Sequence, residues 1–587
     1  MRMTIIERES VMERTYDLVI RGGQVFDGSG GAPLEADVAV KDGRIATIGA
    51  VAGSGAEEID AGGLIVTPGF VDIHTHYDGQ ATWDGRMQPS SWHGVTTVVM
   101  GNCGVGFAPC RAEDHDRLVR LMEGVEDIPF PVLSQGLPWT WESYPEYLTA
   151  LEERSFDVDI GSQLPHAALR VFVMGERGAN REPANAADIA AMAEIARCAA
   201  EAGALGFTTS RTLNHRTSDG QPTPTLTASE EELTGIAMGL AAAGKGVLQF
   251  VSDFAQPKEE FAMLRRIAAA SGRPLSFSLA QGGNNPKGYR ILLDALEEAV
   301  AEGLPMKAQV AARPVGVLLG LELTVNPFTR YPLYRQIAPL PLAERVARLA
   351  DSEFRAQLFS DPPADGPGGL MALWSRMHLM GSAPDYEPTS ESTVEAEAAA
   401  RGVSPEAVAL DHMLTDGGRG MLYVPFLNYS EGSLDAVREM IMHPDSIPGL
   451  SDGGAHVGMI CDGSFPTSMI THWTRDRSRG PTIPLESVIR MQTRDTARAV
   501  GLRDRGLIAP GYRADLNLID YRGLTLHAPR VVYDLPAAGR RLIQKARGYV
   551  ATIVAGQVTY RDGEPTGALP GRLVRGAKAA PVVLATE

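Results

Sequence analysis

Between residues 65 and 505, short apolar runs alternate with longer stretches of helical periodicity. The runs are VTTVVMGN (95–102), ALRVFVMG (168–175), GALGFTTS (203–210), GVLQFVS (246–252), PLSFSLA (274–280) and MKAQVAA (306–312). The helical stretches include 186–202, 229–244, 257–271 and 290–302. Strands that alternate with helices predict a parallel sheet covered by helices. With roughly eight such runs, closure into a (β/α)8 barrel over 65–505 is the expected solution. The pattern alone leaves an open doubly wound sheet as the alternative.

The two ends of the chain read differently. Residues 16–64 give short strands with tight turns, including ADVAVKDGRIATIGA, a hairpin around Asp42-Gly43. The β signal returns at 506 with GLIAPGYRADLNLIDY and closes with GYVATIVAGQVTYRDGEP, another hairpin-like pair. Residues 16–64 and 506–575 are therefore expected to pair into one small β domain beside the barrel. Two inserts lie within the barrel region. Residues 110–150 are rich in Pro, Trp and acid, and residues 355–400 hold Asp361-Pro362-Pro363 and an acidic helix at 394–400. Long inserts in compact domains are usually functional or mobile.

Composition narrows the partners. A chain of 587 residues is too long for one compact domain. Its formal charge of −18 repels phosphate backbones and anionic lipid, which argues against nucleic acid and membrane partners. A homo-oligomer is left open. Four cysteines, Cys103, Cys110, Cys198 and Cys461, are no disulfide framework, so a cytoplasmic protein with reduced thiols is expected. The opening MRMTIIERESVMERTYD carries charges where a secretory leader needs an apolar core. No apolar run reaches the ~18 residues of a membrane span.

The chemistry-bearing residues sit at strand ends. His74-Thr75-His76 follows the buried run ending VDI. On a strand, i and i+2 point to one side, so two imidazoles converge as half of a divalent metal site, unless the pair arises by chance. Asp78 and Asp84 follow. Cys103, in Asn102-Cys103-Gly104, ends the next run. A thiolate there is a ligand or a nucleophile; otherwise it is a small buried residue at a turn. Asp452, in Ser451-Asp452-Gly453-Gly454-Ala455-His456, either binds metal and accepts a proton or makes a plain Asp-Gly turn.

These blocks resemble a known family. TPGFVDIHTHYDGQ, GVTTVVMGNCGVGFAP, LSDGGAHVG and GYRADLNLID are similar to the amidohydrolase superfamily, and the Cys103 block to its N-acyl-D-amino-acid deacylase (D-aminoacylase) branch. The resemblance runs from about residue 17 to about residue 575. It implies an α/β fold: a (β/α)8 TIM-like barrel with a β-sandwich built from both chain ends. It implies zinc at the strand ends, with His74, His76 and Cys103 as ligands. Asp452 matches the last-strand aspartate, a ligand and general base. The implied activity is metal-dependent hydrolysis of an amide C–N bond in a small molecule.

The chain also departs from that branch. The resemblance implies ligating histidines at the ends of the fifth and sixth strands. Here those strands read GVLQFVSDF and PLSFSLAQ, with Gln249, Phe250 and Phe277 or Ser278 at about those places. The run 160–175 holds no lysine to bridge two metals. One zinc per chain is the expectation, and a second site is open. His166, His215 and His456 are each a ligand, an acid or a substrate contact, or else a hydrogen-bonded loop histidine. Arg211 suits a substrate carboxylate, or a structural ion pair. Glu126 and Asp127 line the mouth or form a solvated face. Trp139, Trp141, Tyr144 and Trp473 wall an acyl pocket or pack the inserts. Three functions compete: a hydrolase of N-acyl-(D-)amino acids, a hydrolase of a larger or cyclic amide, carbamate or lactam, and a non-catalytic scaffold.

Overall fold

The computed structural model describes residues 14–364 and 368–582. Residues 1–13, on which most of the leader argument rests, lie outside them, as do 365–367 within the second insert. Among the described residues no helix is long and apolar enough to cross a membrane.

Strands from both chain ends share one nine-stranded sheet. Arg14–Val25 pairs with Leu34–Lys41 and with Ile65–Pro68, and Leu516–Ile519 pairs with Ile65–Pro68 and Tyr549–Val554. The Asp42-Gly43 hairpin forms as its pattern demands, with φ of 51° and 70° at the two turn residues. A separate core, including Leu18, Ile20, Val38, Leu516, Leu518 and Ile553, joins the two ends.

The middle of the chain supplies parallel strands in two blocks. One holds Phe70–Asp72, Val95–Met100 and Asp159–Ser162. The other holds Leu164–Pro165, Gly206–Arg211, Val247–Ser252, Leu275–Leu279, Met306–Val310 and Ser446–Pro448. Gln163 alone separates the blocks on one side. On the other, Thr75 and Gly453 form a parallel bridge, the His76 N–H donates to the Gly453 carbonyl, and the Asp452 N–H donates to the His74 carbonyl. Helices Ala186–Ala202, Glu230–Ala243, Pro257–Ser271 and Gly288–Ala301 follow successive strands, close to their expected bounds.

Two expectations are corrected. The run 168–175 is not a strand but lies in the helix His166–Met174 and its C-cap. A short apolar run cannot be assigned by periodicity alone. The sign of the helix was polar: His166 and Arg170, four apart, both reach Glu232. The second insert is also larger than 355–400. The antiparallel strands Val315–Leu319, His378–Met380 and Met421–Leu427 form a sheet with its own core, including Leu319, Phe328, Leu410, Leu422 and Val424. The first insert folds as the helices His115–Glu126, Phe130–Gly136 and Tyr144–Glu152.

Candidate metal centre

The cluster forms where the parallel strands end. His74 and His76 follow Phe70–Asp72, Cys103 follows Val95–Met100, and Asp452 follows Ser446–Pro448. One ligand atom each from His74, His76 and Cys103 lies within 4.8 Å of the others, and all three residues are buried. His74 Nε2 is 3.3 Å from Cys103 Sγ. Asp452 Oδ1 is 3.5 Å from Nε2 of both histidines. Asp452 is the more open member, with 20% of its side chain exposed, which leaves a path to solvent.

The backbone is bent to build this. Cys103, Asp452 and His456 adopt φ of 54°, 48° and 50°, the left-handed region that costs a non-glycine residue about 1 kcal/mol or more. Such strain persists where the surroundings hold it. Gly101 and Gly104 frame Cys103 at φ of 84° and 70°. A Cβ at Gly101 would stand 2.2 Å from the Gln163 carbonyl. Gly101→Ala is therefore expected to cost about 2–5 kcal/mol in thermal unfolding. Gly282→Ala, where a Cβ meets nothing within 4 Å, is the matched control and should change little.

The donors fit a metal ion. Both ring nitrogens of His76 are buried without a hydrogen-bond partner among the described residues. Burial holds its pKa down to about 4, so the ring is neutral and its lone pair free. Burial likewise lowers the pKa of His74. Behind His74, Nδ1 meets Gln309 Oε1 at 2.9 Å, which turns Nε2 toward Cys103 and Asp452. Behind His76, Nδ1 is 3.4 Å from Glu126 Oε1. Gln309 behind His74 is the usual support of a ligating histidine, and the Glu126 carboxyl lies close to His76 without a hydrogen bond to it. Two imidazoles and a thiol form a zinc-type donor set. Burial, with the nearby Glu126, Asp452 and Asp78 carboxylates, pushes the Cys103 thiol up. A cation among these groups would offset that.

Glu126 ends the helix His115–Glu126 and is fully enclosed. Burial raises its pKa well above the usual range, helped by the Asp452 and Asp78 charges. Its Oε2 lies 3.4 Å from His456 Nε2, and its backbone carbonyl accepts from the His456 N–H. It thus ties the last-strand loop to His76. Glu126→Gln is expected to weaken metal affinity about 10–100-fold, measured by competition with a chromogenic chelator. Unchanged affinity would remove Glu126 from the centre.

For Asp452, burial opposes ionisation, but the imidazoles of His76, His74 and His456 overcome it and hold the carboxyl well below its usual range. His456 Nε2 is 4.0 Å from Asp452 Oδ2. His215 is half-buried, and its Nδ1 meets Ser210 Oγ at 2.8 Å. Burial, then the electrostatics of His456 and His76, takes its pKa down to about 3. His215 and His456 thus both face the cluster.

His166 does not join them. Its Nδ1 meets Thr209 Oγ1 at 2.8 Å and its Nε2 meets Glu232 Oε1 at 2.9 Å, which occupies both ring nitrogens away from the strand ends. Arg211 is also misplaced by the expectation. Ser210 turns toward His215, so its neighbour turns the other way, and Arg211 Nη1 rests 2.9 Å from Met263 Sδ on the outer helix Pro257–Ser271. Trp139 stacks on His115 at 3.8 Å, Trp141 packs on Tyr147, and the Trp473 N–H bonds the Ala312 carbonyl, so these aromatics pack the inserts and the core. Tyr144 donates to Ser162 Oγ within the same packing. Gln309 carried no sign of its part, since an amide at a strand end is chemically mute until its partner is placed.

A sequence model described as the amidohydrolase family matches residues 57–560. The chain is 28% identical to an N-acyl-D-aspartate deacylase of Alcaligenes xylosoxydans xylosoxydans, covering 96% of each. It is 26% identical to a D-aminoacylase of the same organism, over 95% of this chain and 97% of the relative. It is 29% identical to an uncharacterized protein of Mycobacterium tuberculosis, over 94% and 92% of the two chains. Among solved structures, an N-acyl-D-glutamate deacylase from Bordetella bronchiseptica, complexed with zinc and a phosphonate inhibitor, aligns over 96% of this chain and all of its own. The TM-score is 0.64 at 23% identity, which is a likeness of fold. The family model spans most of the chain and includes His74, His76, Cys103 and Asp452, and the chain belongs to the amidohydrolase family, hydrolases that act on non-peptide C–N bonds.

Proposed function

We propose that the protein hydrolyses the amide C–N bond of an N-acyl-(D-)amino acid or related amide at a single zinc held by His74, His76 and Cys103, with Asp452 as general base. The observation that carries this is the convergence of these four side chains from three strand ends, with His76 left unpartnered in the centre. The deacylase names of the relatives at 26–28% identity support the substrate class. The same reading closes the two parallel blocks into one (β/α)8 barrel through the Thr75–Gly453 bridge, with residues 16–64 and 506–575 as a β-sandwich domain at its side. Four cysteines without a disulfide among the described residues suit a cytoplasmic enzyme.

A divalent ion bound there supplies Lewis acidity that polarises the scissile carbonyl and acidifies water. The chain does the rest. Asp452, whose carboxyl is held well below its usual range, accepts the proton of the attacking water and delivers it to the leaving nitrogen. Gln309 holds the ring of His74 in place, and the Glu126 carboxyl lies close to that of His76. His456 and His215 stand at the mouth to hydrogen-bond the substrate.

A panel of N-acyl-D- and N-acyl-L-amino acids, set against cyclic amides and carbamates, tests the reading. Cleavage of an N-acyl-amino acid supports it. Cleavage confined to the cyclic members would move the substrate class. No cleavage by zinc-loaded protein would favour a scaffold.

A further inference from the structure

The strands Val247–Ser252 and Leu275–Leu279 carry an unexplained polar patch. Both amide atoms of Gln249 and the hydroxyl of Ser278 are buried without a hydrogen-bond partner among the described residues, and Gln249 is 1% exposed. Buried polar groups are almost always paired, so such a group calls for a cause.

Register fixes which way Gln249 points. It pairs with Thr208 on one side and Ser276 on the other. Phe207 and Phe277, in the alternate row, meet His166 and Phe261 on the outer helices. Thr208, Gln249 and Ser276 therefore face inward. Thr208 Oγ1 accepts from the Gly104 N–H at 3.0 Å, beside Cys103. Ser276 Oγ accepts from Gln309 Nε2 at 2.9 Å, and Gln309 Oε1 holds His74. Gln249 thus stands between a neighbour that leans on the Cys103 turn and one that leads to His74. Along Leu275–Leu279 the outward residues are buried while the inward Ser276 and Ser278 are partly exposed.

We propose that Gln249, with Ser278 beside it, is a substrate subsite that takes a cis-presented amide. A carboxamide offers one donor and one acceptor on the same edge. The matching partner shows N–H and C=O side by side, as a lactam, imide, ureide or primary carboxamide does, and the two close a cyclic pair of hydrogen bonds. An open-chain secondary amide in its trans form shows N–H and C=O on opposite edges and fills only half of it. A carboxylate accepts but does not donate. Within the N-acyl-amino acids and related amides proposed above, the subsite therefore favours those that carry a side-chain carboxamide or a ring amide. This rests on the reaction centre proposed above.

The test titrates purified protein with 2-pyrrolidinone, N-methyl-2-pyrrolidinone and N-methylacetamide by ligand-observed NMR, alongside metal analysis. The lactam is expected to bind about 10-fold tighter than the other two. Gln249→Leu should erase that preference and leave metal content unchanged. Gln249→Met, which keeps the length of the side chain and loses both donor and acceptor, should erase it too and covers the case in which the leucine variant fails to fold. Equal binding of the three probes to the unmodified protein overturns the proposal, as does a preference that survives either variant. Loss of metal in both variants also overturns it, since Gln249 would then be a ligand. Binding is read without turnover, so a protein that hydrolyses nothing yet keeps the lactam preference contradicts the hydrolase reading alone.

Discussion

Asp452→Asn is expected to lower kcat by about 10³-fold while metal content and fold persist. The substitution keeps the side chain's shape but removes its basicity. The local backbone tolerates it well: Asp452 sits at φ 48°, and asparagine enters the left-handed region more readily than most residues. The Asp452 N–H still donates to the His74 carbonyl, so the last strand stays joined to the first. What is lost is the acceptor 3.5 Å from both histidines. Steady-state kinetics on any substrate found by the panel, with thermal unfolding as control, decides it. A variant with wild-type kcat would show that another group takes the proton.

Cys103→Ser has the second large effect. It is expected to weaken metal affinity by more than about 100-fold, because even the partners behind ligating histidines are worth 10–100-fold. The hydroxyl is a far poorer ligand than a thiolate, and the remaining donors are two neutral imidazoles. Protein purified without added metal should then be nearly metal-free and inactive. Activity should return in part with excess zinc, because Asp452, Glu126 and Gln309 are untouched. Undiminished affinity would make Cys103 a packing residue, as Cys110 and Cys461 are.

The residues of the candidate metal centre are easier to pick out in the sequence than their surroundings. His74 and His76 stand out as two histidines two apart just past a buried run, and Cys103 and Asp452 betray themselves through flanking glycines that the bent backbone requires. Glu126 drew notice only as one of two acids in EGVEDIP. Its part depends on the helix His115–Glu126 ending against His76, a long-range contact that local pattern does not encode. Arg211 and His166 failed for the opposite reason: their chemistry suited a substrate, but parity and a helical turn face them outward. The alternation of strands and helices gave most of the sheet order. It missed the helix His166–Met174, whose apolar run mimics a strand, and it underrated an insert that carries its own core.

Elemental analysis of protein purified without added metal tests the central claim most directly, with His74→Ala measured beside it. The account predicts about one zinc per chain in the unmodified protein and almost none, with no activity, in the variant. Absence of metal even after zinc is supplied, or a His74→Ala variant that keeps both its metal and its activity, would contradict it.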